Sequence, residues 1–208
     1  MTSFKTSSIL RPARAAVVFC VLWAVLSGTA RAQAIALQCD PVQTVANFTL
    51  SDPLHTVHGT FKLKSCDVRF DPVSGKIDGS IVFDATSGKS GSGGRDKKMH
   101  KDVLESARYP EITFRPDRVD GKVALAGASS VQVHGMFGIH GSEHEVTMPV
   151  DLNLGPDRWS AQAKFSVPYV KWGMKNPSML FLRVGESVDL DFKGAGGVKP
   201  AAQQTSFL

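Results

Sequence analysis

Val131-Gln132-Val133-His134-Gly135-Met136-Phe137-Gly138-Ile139-His140 and, one short turn later, Glu145-Val146-Thr147-Met148-Pro149-Val150-Asp151-Leu152-Asn153-Leu154 alternate apolar with polar residues. Val131, Val133, Phe137 and Ile139 share one parity, against Gln132, His134, Gly138 and His140 on the other. A period of two is that of β-strands with one buried and one wet face. The same alternation extends in both directions from these two segments, so it sets the fold class.

Toward the N-terminus, Val42–Leu50 carries Phe48 and Leu50 on one face, and Val57–Leu63 carries Val57, Gly59, Phe61 and Leu63. Cys66–Phe70 continues or pairs with that strand, with Val68 and Phe70 inward. Lys76–Asp84 follows with Ile77, Ile81 and Phe83, and Gly79 among them marks a bulge or a bend. Toward the C-terminus come Glu111–Val119 with Ile112 and Phe114, Lys122–Leu125, Trp159–Tyr169 with Ala161, Ala163 and Phe165, and Ser187–Lys193 with Val188, Leu190 and Phe192. Ser51-Asp52-Pro53, Asp71-Pro72-Val73-Ser74-Gly75, Gly141-Ser142 and Gly155-Pro156-Asp157 supply the turns.

Seven or eight such strands stack as two sheets or close into a barrel. The inward set favours closure: all-β, an antiparallel barrel of about eight strands with one α-helix. Its expected lining is Phe48, Leu50, Phe61, Leu63, Phe70, Ile81, Phe83, Phe114, Phe137, Ala163, Phe165 and Phe192. Large side chains mixed with Gly and Ala either fill a tapered barrel or leave a tunnel, and both outcomes stay open.

The alternation stops at Ser87–Gly94, a flexible Gly/Ser run. The helix is expected next, from Arg95 to about Arg108, with Met99, Val103, Leu104 and Ala107 as a narrow apolar stripe. Tyr109-Pro110 ends it. Residues 171–177 are irregular, and Trp172 and Met174 there suit a cap over the barrel mouth, a ligand contact, or packing under a loop. The Gly- and Ala-rich tail, 194–208, reads as disordered.

Residues 1–32 hold Lys5, Arg11 and Arg14, an apolar run Ala15–Leu26, and small-x-small sites at Ala30-Arg31-Ala32 and Ala32-Gln33-Ala34. This is the layout of a secretory signal peptide, with the barrel domain expected over 39–193. The whole chain of 208 residues has 24 Lys+Arg against 19 Asp+Glu, a balance of +5. Four of those cations lie in the leader, so residues 33–208 hold 20 against 19. That near-neutral balance gives no argument for nucleic-acid binding. Cys39 and Cys66 remain after cleavage, as one disulfide or as two free thiols.

Enzymatic motifs are weak. Gly91-Ser92-Gly93 lies in a flexible loop, not on a strand-to-helix elbow. Gly88-Lys89-Ser90 lacks the earlier glycine and the strand context of a phosphate loop. The six His are not spaced to converge on a metal, and His58, His134 and His140 share parity with polar residues. No metal, cofactor or enzymatic activity is expected.

His58-Gly59-Thr60-Phe61, Arg95-Asp96, Ala107-Arg108-Tyr109-Pro110-Glu111-Ile112-Thr113-Phe114, and Gly138-Ile139-His140-Gly141 before Val146-Thr147-Met148-Pro149-Val150 resemble, in order and spacing, the YceI-like family. The resemblance covers roughly Phe48 to Phe192. It implies an extended antiparallel eight-stranded lipocalin-like β-barrel with the α-helix near its mouth, export to the periplasm or secretion, and a long apolar ligand, lipid or isoprenoid, held inside; some members pair, so a homodimer is an allowed partner. The family pattern Arg-Asp, one residue, His-Leu is here Arg95-Asp96-Lys97-Lys98-Met99-His100, which displaces His100. Lys89, Arg95, Lys97, Lys98 and Lys101 crowd the loop and helix start, where free N–H groups and a helix dipole favour an anion. Arg95 and Lys97 are the expected head-group anchor, Arg95 first because it lies in the family-like motif; the alternative is a solvated helix face. The alternative function is a non-enzymatic structural or stress-related periplasmic protein with a filled barrel.

Overall fold

A computed structural model describes residues 34–51, 56–178 and 183–201. The leader, 1–32, and the chain from 202 onward lie outside the described residues. Nine strands occur among them: β1 (Ile35–Cys39), β2 (Val45–Ser51), β3 (Thr56–Phe70), β4 (Ile77–Lys89), β5 (Glu111–Asp120), β6 (Gly127–Ile139), β7 (Ser142–Leu154), β8 (Arg158–Val167) and β9 (Val188–Pro200). The ladder runs β2-β9-β8-β7-β6-β5-β4-β3 and returns to β2, all antiparallel, so eight staves close a ring. Closure gives every stave of the ring a paired neighbour on each side, over part or all of its length. The fold is the expected all-β, lipocalin-like barrel with one short helix.

The ninth strand shares a stave. β1 pairs with Val68–Phe70 of β3 and Gly196–Pro200 of β9, while β2 pairs with the earlier part of β3 and the first part of β9. The break between them, Asp40–Thr44, is held by Asp40 N–H to the Ala195 carbonyl (2.8 Å) and by the fully buried Thr44, whose hydroxyl donates to the same oxygen (3.3 Å). The sequence expectation of a strand from Val42 misses this division. Val42 is instead exposed in the break.

β1 and β8 flank the second half of β9, which corrects the reading of 194–200 as a disordered tail. Glycine there marks close approach rather than freedom: a Cβ on Gly196 would sit 1.7 Å from the Gln38 carbonyl oxygen of β1. A disulfide joins Cys39 of β1 to Cys66 of β3, with Cα atoms 5.9 Å apart. It fits an oxidising compartment outside the cytoplasm.

Two local expectations are made specific and a third changes. Cys66–Phe70 continues Val57–Leu63 as one strand, and a register shift between Leu63 and Ser65 moves the inward set from odd to even positions. Gly79 bends β4 with φ of 110°, where any Cβ would meet the Asp67 carbonyl. Lys122–Leu125 is not a strand but the β5–β6 connection, since β5 and β6 pair with each other directly. The β6–β7 turn is His140-Gly141, with φ of 53° and 75°; two positive φ values make the tight turn that matches strand twist.

The helix is also shorter than its stripe implies. α1 spans Gly93–Lys98 and opens into one π-helical turn, Met99–Val103, with Leu104 N–H reaching back to the Met99 carbonyl (2.9 Å). Glu105, at φ 45°, ends the helical run and leaves Ala107 exposed. His100 pins the wide turn: its Nε2 meets the Gly88 carbonyl (2.9 Å) and its Nδ1 the Ser106 hydroxyl (3.0 Å). Apolar spacing alone does not register the added residue in that turn.

Candidate functional site: the barrel lumen and its mouth

The inward faces enclose a cavity of about 720 Å³. It runs between two apolar clusters. One, with Leu37, Phe70, Ile77 and Trp159, closes the end near the disulfide. There the Trp159 indole N–H donates to the Gln38 carbonyl (3.0 Å). The other, with Phe48, Phe61, Phe83, Phe137 and Met174, lies beneath α1. Edge-on ring pairs stiffen this wall, Phe83 on Phe192 (centroids 5.9 Å) and Phe137 on Phe165 (5.3 Å).

Phe48, Leu50, Phe61, Phe70, Ile81, Phe83, Phe114, Phe137, Ala163, Phe165 and Phe192 all lie on the cavity wall. Leu63 does not; it packs against the mouth-side cluster behind the wall, beside the register shift that follows it. Parity also places Val57, Val150 and Leu190 on the wall.

The mouth opens between α1 and the β8–β9 connection, where Ser90, Arg95, Lys98, Met174, Pro177 and Val184 line it. Of the expected anchor pair, Arg95 lines the cavity at its mouth and Lys97, on the outer rim, does not; Lys98 takes its place on the wall. The helical phase explains this, since Arg95, Lys98 and Met99 are spaced i, i+3, i+4 and share a face. That spacing is a signal the sequence reading passed over. Lys98 Nζ donates to the Pro177 carbonyl (2.8 Å) and so ties α1 to the opposite rim. Arg95 donates from Nε to the Ser90 hydroxyl and from Nη2 to the Ser90 carbonyl, both at 2.7 Å. The Asp96 carboxylate accepts the Ser90 N–H (2.8 Å) and hydroxyl, and these bonds hold it below the usual carboxylate range. Arg95-Asp96 therefore knots the loop into α1. The six-residue helix is too short for the dipole-based anion site expected from a longer one.

Met174 is buried in the wall, and Trp172 sits behind it. Trp172 stacks flat on His144 (centroids 3.9 Å, planes 3° apart) and tilts against Phe137. Burial pushes the His144 imidazole below its ordinary pKa. Tyr169, buried at the mouth, donates its hydroxyl to the Gly185 carbonyl (2.6 Å), and burial pushes it up to about 12. On the outer face His134 lies between Asp117 (2.6 Å) and Glu145 (2.8 Å), which raise its pKa. His58 is exposed, as its parity requires, while His140 packs on the Tyr109 ring. Among the described residues no group of three or more His, Cys, Asp or Glu is placed to hold a metal ion. The titratable side chains on the cavity wall are Arg95, Lys98 and Tyr169, besides the disulfide-bonded Cys66.

The YceI-like domain matches residues 37–195, most of the chain. This protein belongs to the YceI-like domain family. Among solved structures the YceI-like chain is similar to BcnA of Burkholderia cenocepacia, at 16% identity and a TM-score of 0.65, covering 76% of this chain and 99% of that one. It is similar to a polyisoprenoid binding domain from Saccharophagus degradans implicated in plant cell wall breakdown, at 17% identity and a TM-score of 0.63, covering 81% and 99%. It is similar to the Campylobacter jejuni YceI protein, at 14% identity and a TM-score of 0.55, covering 71% and 88%. At these identities the likeness is one of fold. No curated protein matches the sequence.

Proposed function

We propose that this YceI-like protein is exported, by cleavage of its leader, to the periplasm or beyond, and that it encloses one long apolar chain, isoprenoid or fatty-acyl, in its lumen. The observation that carries this reading is the apolar cavity of about 720 Å³ that reaches from the mouth to the disulfide end. Binding is by partition. Each buried CH₂ contributes roughly 0.8 kcal/mol, so a C15–C20 tail gains roughly 12–16 kcal/mol before the costs of association. Arg95 and Lys98 stand where a phosphate or carboxylate head would emerge. The described polyisoprenoid-binding relative and the disulfide support the same reading. We read the protein as a binder; its membership of the YceI-like domain family and the likeness to a polyisoprenoid binding domain support that reading. A filled barrel is disfavoured by the size of the cavity.

Native mass spectrometry of the exported protein, followed by organic extraction, tests this. A co-purifying lipid, or stoichiometric uptake of a fluorescent fatty-acid probe, is the expected result. A clean apo mass with no probe uptake refutes it.

A further inference from the structure

The elements that frame the mouth carry charge unlike the rest of the chain. Residues 89–108 hold Lys89, Arg95, Lys97, Lys98, Lys101 and Arg108 against Asp96, Asp102 and Glu105. The β8–β9 connection, over 168–178 and 183–187, holds Lys171, Lys175 and Arg183 against Glu186. These two segments therefore hold nine cations and four anions, while the remainder of 33–208 has eleven cations and fifteen anions. Lys89, Arg95, Lys97, Lys101, Arg108, Lys171, Lys175 and Arg183 are all exposed. None of the nine forms an ion pair with a carboxylate among the described residues, whereas Lys64, Arg115 and Arg118 on the barrel wall all do. Asp96 is already occupied by Ser90. The uncompensated positive end is thus the end at which the apolar lumen opens.

We propose that this basic rim docks the barrel, mouth first, on an anionic lipid bilayer. The inference rests on the reading of the lumen as a lipid site, and it names where the lipid is exchanged. A long apolar chain that crosses water between bilayer and lumen exposes every methylene to water, at a cost that grows with its length. A mouth pressed on the membrane removes that exposure. A cluster of four to eight Lys or Arg at a membrane surface is enough for electrostatic attachment to anionic lipids, and the attachment falls off within a Debye length. The polarity of the chain, basic at the mouth and acidic elsewhere, orients it on a negative surface.

The test is flotation of the exported, purified protein with vesicles of phosphatidylcholine alone or with one-third phosphatidylglycerol. Binding is expected to the anionic vesicles only, and to fall steeply with salt. The triple variant K97E/K101E/K171E, which leaves Arg95 and Lys98 on the cavity wall untouched, should lower partition by about a hundredfold or more. K76E/K122E/K199E, an equal charge change at exposed positions of the opposite end, should bind as the parent does. No binding to anionic vesicles, equal binding to neutral ones, or equal loss in both triples overturns the proposal. Fluorescent fatty-acid uptake from solution is measured in parallel. Intact uptake without vesicle binding sinks the docking surface and leaves the carrier standing; vesicle binding without uptake sinks the carrier.

Discussion

Ala163→Phe should cut the lumen in two. Ala163 is 3% exposed, lies mid-way along β8, and pairs with Val150 on one side and Phe192 on the other, with all three on the cavity wall. A phenyl ring in place of a methyl hydrogen projects into the space a bound chain occupies and displaces about four to six of its methylenes. At ~0.8 kcal/mol for each, the loss is roughly 3–5 kcal/mol, or about a hundredfold to a few thousandfold in Kd. The loss depends on ligand length. Chains of about ten carbons still fit the mouth-side half, while chains of about sixteen to twenty lose most of their affinity. Because the ring enters a void and not a packed core, stability should change by less than the ~1–3 kcal/mol typical of overpacking. The assay is displacement of a fluorescent probe by saturated fatty acids of graded length, with thermal unfolding as the control on folding. A folded variant that binds long chains as tightly as the parent would refute the assignment of this cavity as the ligand site.

Three further outcomes are expected. Replacing Cys39 and Cys66 by Ser opens a crosslink with a sequence separation of 27 and should lower stability by roughly 3–4 kcal/mol on chain-entropy grounds, read by denaturant melts. If the disulfide is dispensable, the double variant will unfold at the parent's midpoint. Gly196→Ala forces a Cβ against the Gln38 carbonyl and should destabilise the barrel by about 1–3 kcal/mol while loosening β1, seen as faster amide exchange over 35–39; a variant with parental stability and exchange contradicts the close approach.

The two histidines should titrate in opposite senses. His134, raised by its Asp117 and Glu145 hydrogen bonds, contributes stability that is full below its unfolded pKa of about 6.5 and is lost as pH rises through the higher folded value. His144, lowered by burial against Trp172, is favoured neutral, so the stability it confers is present above about 6.5 and is lost as pH falls. Histidine NMR titration decides both, and a His144 that protonates before His134 as pH falls would be the wrong order.

Much of the wall was legible because strand parity is a local property. A side chain on a paired strand points to one face or the other, and Phe137, Phe165 or Phe192 needed no knowledge of its neighbours to be placed inward. Legibility failed where pairing decides the outcome. Gly194–Pro200 has a loop's composition, yet it is a strand, because β1 and β8 offer it hydrogen bonds on both edges. Lys122–Leu125 alternates yet is a loop, because no strand is left to pair with it. Lys97 and Lys98 differ only in helical phase, and the π-turn that follows α1 is set by His100 and its partners on β4 and at Ser106.

The amino-acid order alone determined that this chain forms amphipathic antiparallel strands with an apolar inside, since alternation is written residue by residue. It left three matters open: whether the ring closes, whether its interior is full, and whether Cys39 meets Cys66. Those depend on distances between segments far apart in the chain. The tertiary structure decided them through closure of β2 on β3 and β9, which keeps opposite walls too far apart for their side chains to fill the space between, and through the pairing of β1 with β3 and β9, which holds the two sulfurs together at one end.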